Sequence, residues 1–250
     1  MSTGLKDDSV ESQKACPGPT GKEELYYWDT VCFSVEGRIF KVPRQHFIVG
    51  SEYFANKYLR PQAYQEGDPR GSEIATFDPD ALVTLKGISA TAFRTFLKLL
   101  FPSLTSTLTL TLTKSEWLTT LSLSTTWHFL QFRELAIQQL GPHLTDPIEL
   151  VKSGRENFVC AWVMDGYDAL VRRNGTISER ESEEIGHLTT VRIYLVRGAL
   201  GKGDGPRYSS ELSVFNEIHL KFGEELRILG AAEKKFKIKT CPKSRKRIRI

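Results

Sequence analysis

Between residues 31 and 42, apolar and polar side chains alternate on both sides of a Glu-Gly pair. Alternation with a period of two is strand patterning, and a glycine at the midpoint supplies the positive φ that a tight hairpin turn needs. The spacing therefore predicts a hairpin centred on Glu36 and Gly37. That register sets Val35 opposite Arg38, Phe33 opposite Phe40, Val31 opposite Val42 and Asp29 opposite Arg44. One face then carries Val31, Phe33, Val35, Phe40 and Val42, and the other carries Thr30, Cys32, Ser34, Ile39, Lys41 and Pro43. A slip of one residue would send Phe33 and Phe40 to opposite faces, which favours this pairing.

Pro43 lacks the amide that a sheet ladder needs and suits the first turn of a helix. Phe47, Ser51, Phe54 and Tyr58 come next at helical spacing, widened by Ile48, Ala55 and Leu59, so one amphipathic helix is expected here. A short strand is expected at Leu82–Leu85. Ser89 is placed to cap a helix carrying Phe93, Phe96, Leu97 and Leu100, with Pro102 beyond its end. Leu104, Leu108, Leu110 and Leu112 alternate with Thr and Ser, as a strand or a loop would. A helix then starts near Ser115 with Trp117, Leu118 and Leu121, its length left open by the poor helix formers of SLSTTW. The next, LQFRELAIQQL, is expected to bury Phe132, Leu135, Ala136 and Leu140 before the Gly141-Pro142 stop. Beyond it the pattern is helical throughout. Asp146-Pro147 opens one helix, Val159–Val171 forms another with Trp162, Val163, Tyr167 and Leu170 inward, and Ser178-x-x-Glu181 is a capping box for a third running through Ile185, Leu188 and Val191. A last helix is expected over residues 209–229, after the glycine-rich break GALGKGDGP, and no repeat of 20 to 50 residues is evident.

Charge changes this picture at the two ends. Residues 231–250 hold nine Lys or Arg against Glu233, so they sum to +8 where the whole chain is +4, and the rest sums to −4. Residues 1–24 are rich in Ser, Gly, Pro and charge and are expected to be disordered, with order beginning at the aromatic cluster Leu25–Trp28. No apolar run is long enough for a membrane span, and the first residues lack the charged start and apolar core of a secretory signal. Cys16, Cys32, Cys160 and Cys241 have no pairing or ligand spacing. Free thiols in a reducing, intracellular compartment are expected, in the nucleus or the cytoplasm.

Candidate chemistry is sparse. His46, His128, His143, His187 and His219 lie far apart in the chain, and none stands in a nucleophile setting. GALGKG lacks the first glycine and the Ser or Thr of a phosphate loop and comes after a helix, so it reads as a linker. The expectation is a chain that is not an enzyme, with no cofactor and no metal. The basic tail, with Lys243, Arg245, Lys246 and Arg247 in PKSRKRIRI, suits nuclear import, non-specific phosphate contact or simple solvation. Asp29 and Arg44, opposed across the hairpin, form either an exposed ion pair of small worth or, if buried in a subunit contact, a much costlier one to break.

The order hairpin, helix, strand, helix, helical pair resembles the BTB (POZ) domain, in particular the BTB proteins of mushroom-forming fungi. The resemblance rests on VEGRIFKVPRQHFIVGSEYF (35–54), LKGISATAFRTFLKLLFP (85–102) and WHFLQFRELAIQQL (127–140). Its core motif is Phe33, Phe40, Val42, Pro43, Phe47, Ser51 and Phe54, and IELVKSGRENFVCAWVMDGYDALV resembles the helical segment C-terminal to the domain in those proteins. The resemblance implies an α+β fold, a small sheet flanked by helices over 25–142 with a helical extension over 143–230, and the charge pattern adds a basic disordered tail over 231–250. It also implies a protein-interaction module or adaptor that self-associates as a homodimer or binds another protein. Asp29 and Arg44 then correspond to the charged pocket of dimeric members, and a cullin-type ubiquitin ligase is one partner class. The alternative is a nuclear, transcription-associated regulator that uses the tail for import or nucleic-acid contact. The Leu-Thr run and SLSTTW depart from the family pattern, which expects a smoother apolar helix there.

Overall fold

The computed structural model describes residues 28–59, 82–102, 112–201 and 211–237. It is an α+β structure in which a small mixed sheet leads into a long series of helices. Strands β1 (Thr30–Val35) and β2 (Arg38–Pro43) pair in the expected register, with Phe33 on Phe40 and Val31 on Val42. Glu36 and Gly37 both take positive φ, +47° and +73°. The left-handed conformation is costly for glutamate, but its carboxylate accepts the Ala90 amide at 2.8 Å, at the start of helix α3 (Ala90–Leu100). The turn thus helps cap a helix distant in sequence. Strand β3 (Leu82–Thr84) pairs parallel to β1, giving the order β2-β1-β3 with β1 in the centre. Central position explains why Val31, Phe33 and Val35 are fully buried, while Phe40 and Val42 on the edge strand are only partly so. The expected aromatic start is not a buried one: Trp28 is 65% exposed, and Leu25, Tyr26 and Tyr27 lie outside the described residues.

The single helix expected after Pro43 is broken. Pro43 itself ends β2, opposite Thr30, and the chain turns through α1 (Gln45–Gly50), an extended Ser51, a short α2 (Glu52–Phe54) and a π-turn (Ala55–Leu59). Ser51 is buried, and its hydroxyl accepts the Phe54 amide at 3.0 Å while donating to the Trp127 carbonyl at 2.6 Å. That tertiary bond, 76 residues away, overrides the local helical pattern. Despite the break, Phe47, Phe54 and Leu59 all reach the core, where they join Phe33, Phe93, Phe96, Trp127 and Phe129.

Helix α3 is capped by Ser89, as expected, through the Ala92 amide. The Leu-Thr run falls almost wholly in residues 103–111, outside the described residues. Helix α4 (Lys114–Thr126) starts one residue before Ser115, with a full capping box of Thr113 and Glu116, and continues through SLSTT. Three of its hydroxyls bond back into their own helix, Thr119 to Ser115, Ser124 to Leu121 and Thr126 to Ser122, whereas those of Thr120 and Thr125 are buried with no hydrogen-bond partner among the described residues. Satisfied by Leu121, Ser124 can be buried at no unpaired polar cost. Helix α5 (Leu130–Leu140) buries Ala136 and Leu140, whereas Phe132 and Leu135 are only partly covered and Arg133 takes a core position instead.

Helices α6 (Pro147–Glu156) and α7 (Cys160–Arg172) begin where Asp146-Pro147 and Val159 place them, and Trp162, Val163, Tyr167 and Leu170 are buried. The capping box of Ser178 and Glu181 opens α8 (Glu179–Ile185). The expected continuation does not occur: Gly186, at φ +93°, separates α8 from α9 (His187–Gly201). Leu188 and Val191, expected within that helix, fall in α9 and are more than half exposed, and Ile193 and Val196 do the burying. Helix α9 also runs through Gly198–Gly201, so the glycine-rich break begins later than its composition suggests. Helix α10 (Glu211–Glu233) packs on α7 and α9, and a 3-10 turn, Lys234–Phe236, lies at its end. This helical core is centred on Tyr167, Leu170, Ile193, Ile218 and Phe222.

A repeat absent from the residue pattern is present in the geometry. Helices α4 and α5 form a tight hairpin through Trp127, His128 and Phe129, and α6 and α7 form another through Asn157, Phe158 and Val159. His128 and Phe158 have φ of +57° and +54°, and the amides of Phe129 and Val159 bond Ser124 and Gly154 carbonyls at 2.9 and 2.8 Å.

Candidate functional site

The open end of the β1–β2 hairpin brings Asp29 and Arg44 together through their main chains. The Arg44 amide donates to the Asp29 carbonyl at 2.8 Å, extending the ladder one pair beyond the strands. The Arg44 guanidinium reaches the other way, donating to the Leu59 carbonyl at 2.8 Å at the end of the π-turn. Arg44 thereby ties the hairpin to the helical segment after it, while the Asp29 side chain lies on the surface. A cation on the last carbonyls of a helical turn is favourable electrostatically.

The other core-motif residues fall into two groups. Phe33, Phe47 and Phe54 are completely buried, with ring centroids 4.9 Å (33–47), 5.9 Å (33–54) and 5.2 Å (47–54) apart. Phe40 meets Phe93 edge-on at 5.1 Å. Such pairs add roughly 0.5–1.5 kcal/mol each beyond their burial. These residues, with Val42, Pro43 and Ser51, build the scaffold, and the surface around them mixes exposed polar side chains with several large apolar ones. Along the hairpin and the two short helices after it, Trp28, Ile39 and Val49 are at least 65% exposed, and Ile48 and Tyr53 are exposed to a lesser degree. Lys243, Arg245, Lys246 and Arg247 lie outside the described residues.

Among the described residues, nothing resembling a reaction centre is assembled around the histidines. His187 Nδ1 lies 2.9 Å from Ser182 Oγ, a contact the sequence spacing did not suggest. Ser182 is buried, and among the described residues no carboxylate bonds the other ring nitrogen, so the pair bridges α8 and α9 across Gly186 without the orienting third member that an activated serine needs. Among the described residues no His, Cys, Asp or Glu cluster could hold a metal, and no helix is long and apolar enough to cross a membrane.

Two arginines that pattern reading passed over organise the helical part. Arg155 donates to Glu225 Oε1 at 2.7 Å, to the Tyr167 hydroxyl and Thr189 Oγ1 at 2.8 Å each, and to the Ile185 carbonyl. Burial works against its charge, but Tyr167 and Glu225 outweigh that and hold its pKa above the ordinary value. Burial and the Glu225 carboxylate, against Arg155, push the Tyr167 phenol well above its usual range, so it stays a donor to Glu225. Arg133 is 5% exposed and donates to the Asn157 and Phe158 carbonyls at 2.7 and 3.1 Å, with burial pulling its pKa down. Its signal was available: Arg133, Ala136 and Leu140 share the apolar face of LQFRELAIQQL, and a charge there needs buried partners. No family model, curated protein or solved structure matches this chain.

Proposed function

We propose that the chain is a non-enzymatic protein–protein interaction module of the BTB/POZ kind, which self-associates through the Asp29–Arg44 end of its hairpin. The observation that carries this reading is a set of exposed large apolar side chains, Trp28, Ile39, Ile48, Val49 and Tyr53, on and beside a sheet whose inner face is fully packed; a second exposed apolar set lies on α9 and α10. Exposed apolar surface beside a packed core suits a partner. Support also comes from the residue resemblance over 35–54, 85–102 and 127–140, and from a mixed sheet of three strands leading into a helical hairpin.

Light scattering coupled to size exclusion tests the reading on the full chain. A dimer is expected at tens of micromolar, and Val49→Asp, which places a charge on the exposed face of α1 without touching the core, is expected to weaken it at least tenfold. A chain that stays monomeric at 100 µM removes the self-association, and a dimer indifferent to Val49→Asp moves the interface elsewhere. Arg44→Ala reports separately on the hairpin end, because it removes the bond to Leu59.

A further inference from the structure

The end of α10 delivers one aromatic side chain to the place where the two helical hairpins meet. The Phe236 ring lies 5.1 Å from His128 and 5.8 Å from Phe158, nearly parallel to the latter at 18°, and the Arg133 guanidinium carbon stands 4.8 Å from the same ring. His128 and Phe158 are the two left-handed residues of the equivalent hairpin turns.

Each wall of this seat is held by groups other than Phe236. The turns are closed by the Phe129 and Val159 amides, and His128 stacks on Tyr53 at 4.3 Å on its other side. Arg133 is fixed by the Asn157 and Phe158 carbonyls. The occupant is held far less firmly. Phe236 is only partly buried, sits on a turn of three residues and is flanked by exposed Lys234, Lys235 and Lys237. Segments of this kind open locally at low free-energy cost.

We infer that Lys234–Lys237 is an intramolecular plug, and that His128, Phe158 and Arg133 form a binding site for an aromatic side chain carried on a lysine-rich segment, which Phe236 fills in cis. The ligand class is set by the walls. A guanidinium over a ring face and two flat aromatic neighbours reward an aromatic group and give an aliphatic one much less. Glu134 lines the groove that continues from the seat past Leu130 and Ile137, a space of about 450 Å³, and suits the neighbouring lysines.

The probe is a fluorescent peptide of residues 231–237, AAEKKFK, titrated onto the full-length chain carrying Phe236→Ala. Saturable binding is expected to this variant, at least tenfold weaker binding to the wild type, and none by the same peptide with Ala in place of Phe. Adding His128→Ala to Phe236→Ala is expected to weaken binding at least fivefold. Equal binding to wild type and variant, or none to a variant whose circular dichroism is unchanged, overturns the inference. Should Phe236→Ala fail to fold, the wild type with 4-fluorophenylalanine at position 236 decides. Excess peptide must then shift the fluorine resonance, and an unmoved resonance overturns the plug.

Discussion

Gly154 and Gly166 are small because each faces the backbone of the other's helix. A Cβ on Gly154 would stand 2.7 Å from Val163 Cγ2 and 3.0 Å from the Val159 carbonyl oxygen. One on Gly166 would stand 2.7 Å from Val151 Cγ2 and 2.9 Å from the Pro147 carbonyl oxygen. The opposing backbone cannot withdraw without parting α6 from α7, so Gly154→Ala and Gly166→Ala are each expected to cost about 1–3 kcal/mol. Gly223, in the middle of α10, has nothing within 4 Å of its would-be Cβ. There Gly→Ala is expected to stabilise by about 0.4–1 kcal/mol, because it only restricts the unfolded chain. Urea denaturation of the three variants checks the contrast, and a destabilised Gly223→Ala would show that α10 has a neighbour the described residues do not include.

Element boundaries separate what pattern can reveal from what it cannot. The caps at Ser89, Asp146 and Ser178 were readable because each is a bond between a side chain and an amide three residues on. The breaks at Ser51 and Gly186 were not, since Ser51 answers to the Trp127 carbonyl and apolar spacing runs unbroken through both. The hairpin register was legible for the opposite reason: its apolar pairs are local and only one alignment buries them together. For the candidate site, Asp29 and Arg44 were correctly set opposite each other, but the direction of the Arg44 side chain depends on Leu59, which register arithmetic does not contain. The α8 cap carries a prediction of its own. Arg173 beside Glu181, together with the Ser178 amide, lowers the Glu181 carboxyl from 4.5 to about 2. A depressed folded-state pKa means that this contribution is complete above about pH 4.5 and is lost as pH falls towards 2. Glu181→Gln is therefore expected to flatten the fall in unfolding free energy between pH 4.5 and 2, measured in urea. An identical slope in wild type and variant would deny the pair any role.

Across the whole molecule, joints between elements are made by side chains whose partners lie far apart in sequence. The two hairpins share a geometry, yet aligned at their left-handed residues they share the buried Leu140 and Leu170 and otherwise little beyond the size of key positions, with Ser124 matching Gly154 and Ala136 matching Gly166. That is why the repeat escapes a search for residue similarity. Arg155 is the largest such joint, linking α6 to Tyr167 on α7, the end of α8, Thr189 on α9 and Glu225 on α10. Beneath it Tyr167 stacks on Phe222 with ring centroids 4.0 Å apart. Truncating Arg155 would leave the half-buried Glu225 carboxylate with no cation and only the Tyr167 hydroxyl as donor, and would free the Ile185 carbonyl, so Arg155→Ala is expected to cost about 3–5 kcal/mol. Arg155→Lys recovers little, because one ammonium cannot meet acceptors spread over four elements in a planar fork. Lys152 supplies the comparison, since its bond to Glu184 is at the surface and Lys152→Ala is expected to stay within about 0.5 kcal/mol of wild type. Urea unfolding tracked by far-UV circular dichroism, which reports on the helices, measures all three. Similar losses for Arg155→Ala and Lys152→Ala would mean that apolar packing around Tyr167 and Phe222, and not the arginine, holds the five helices together.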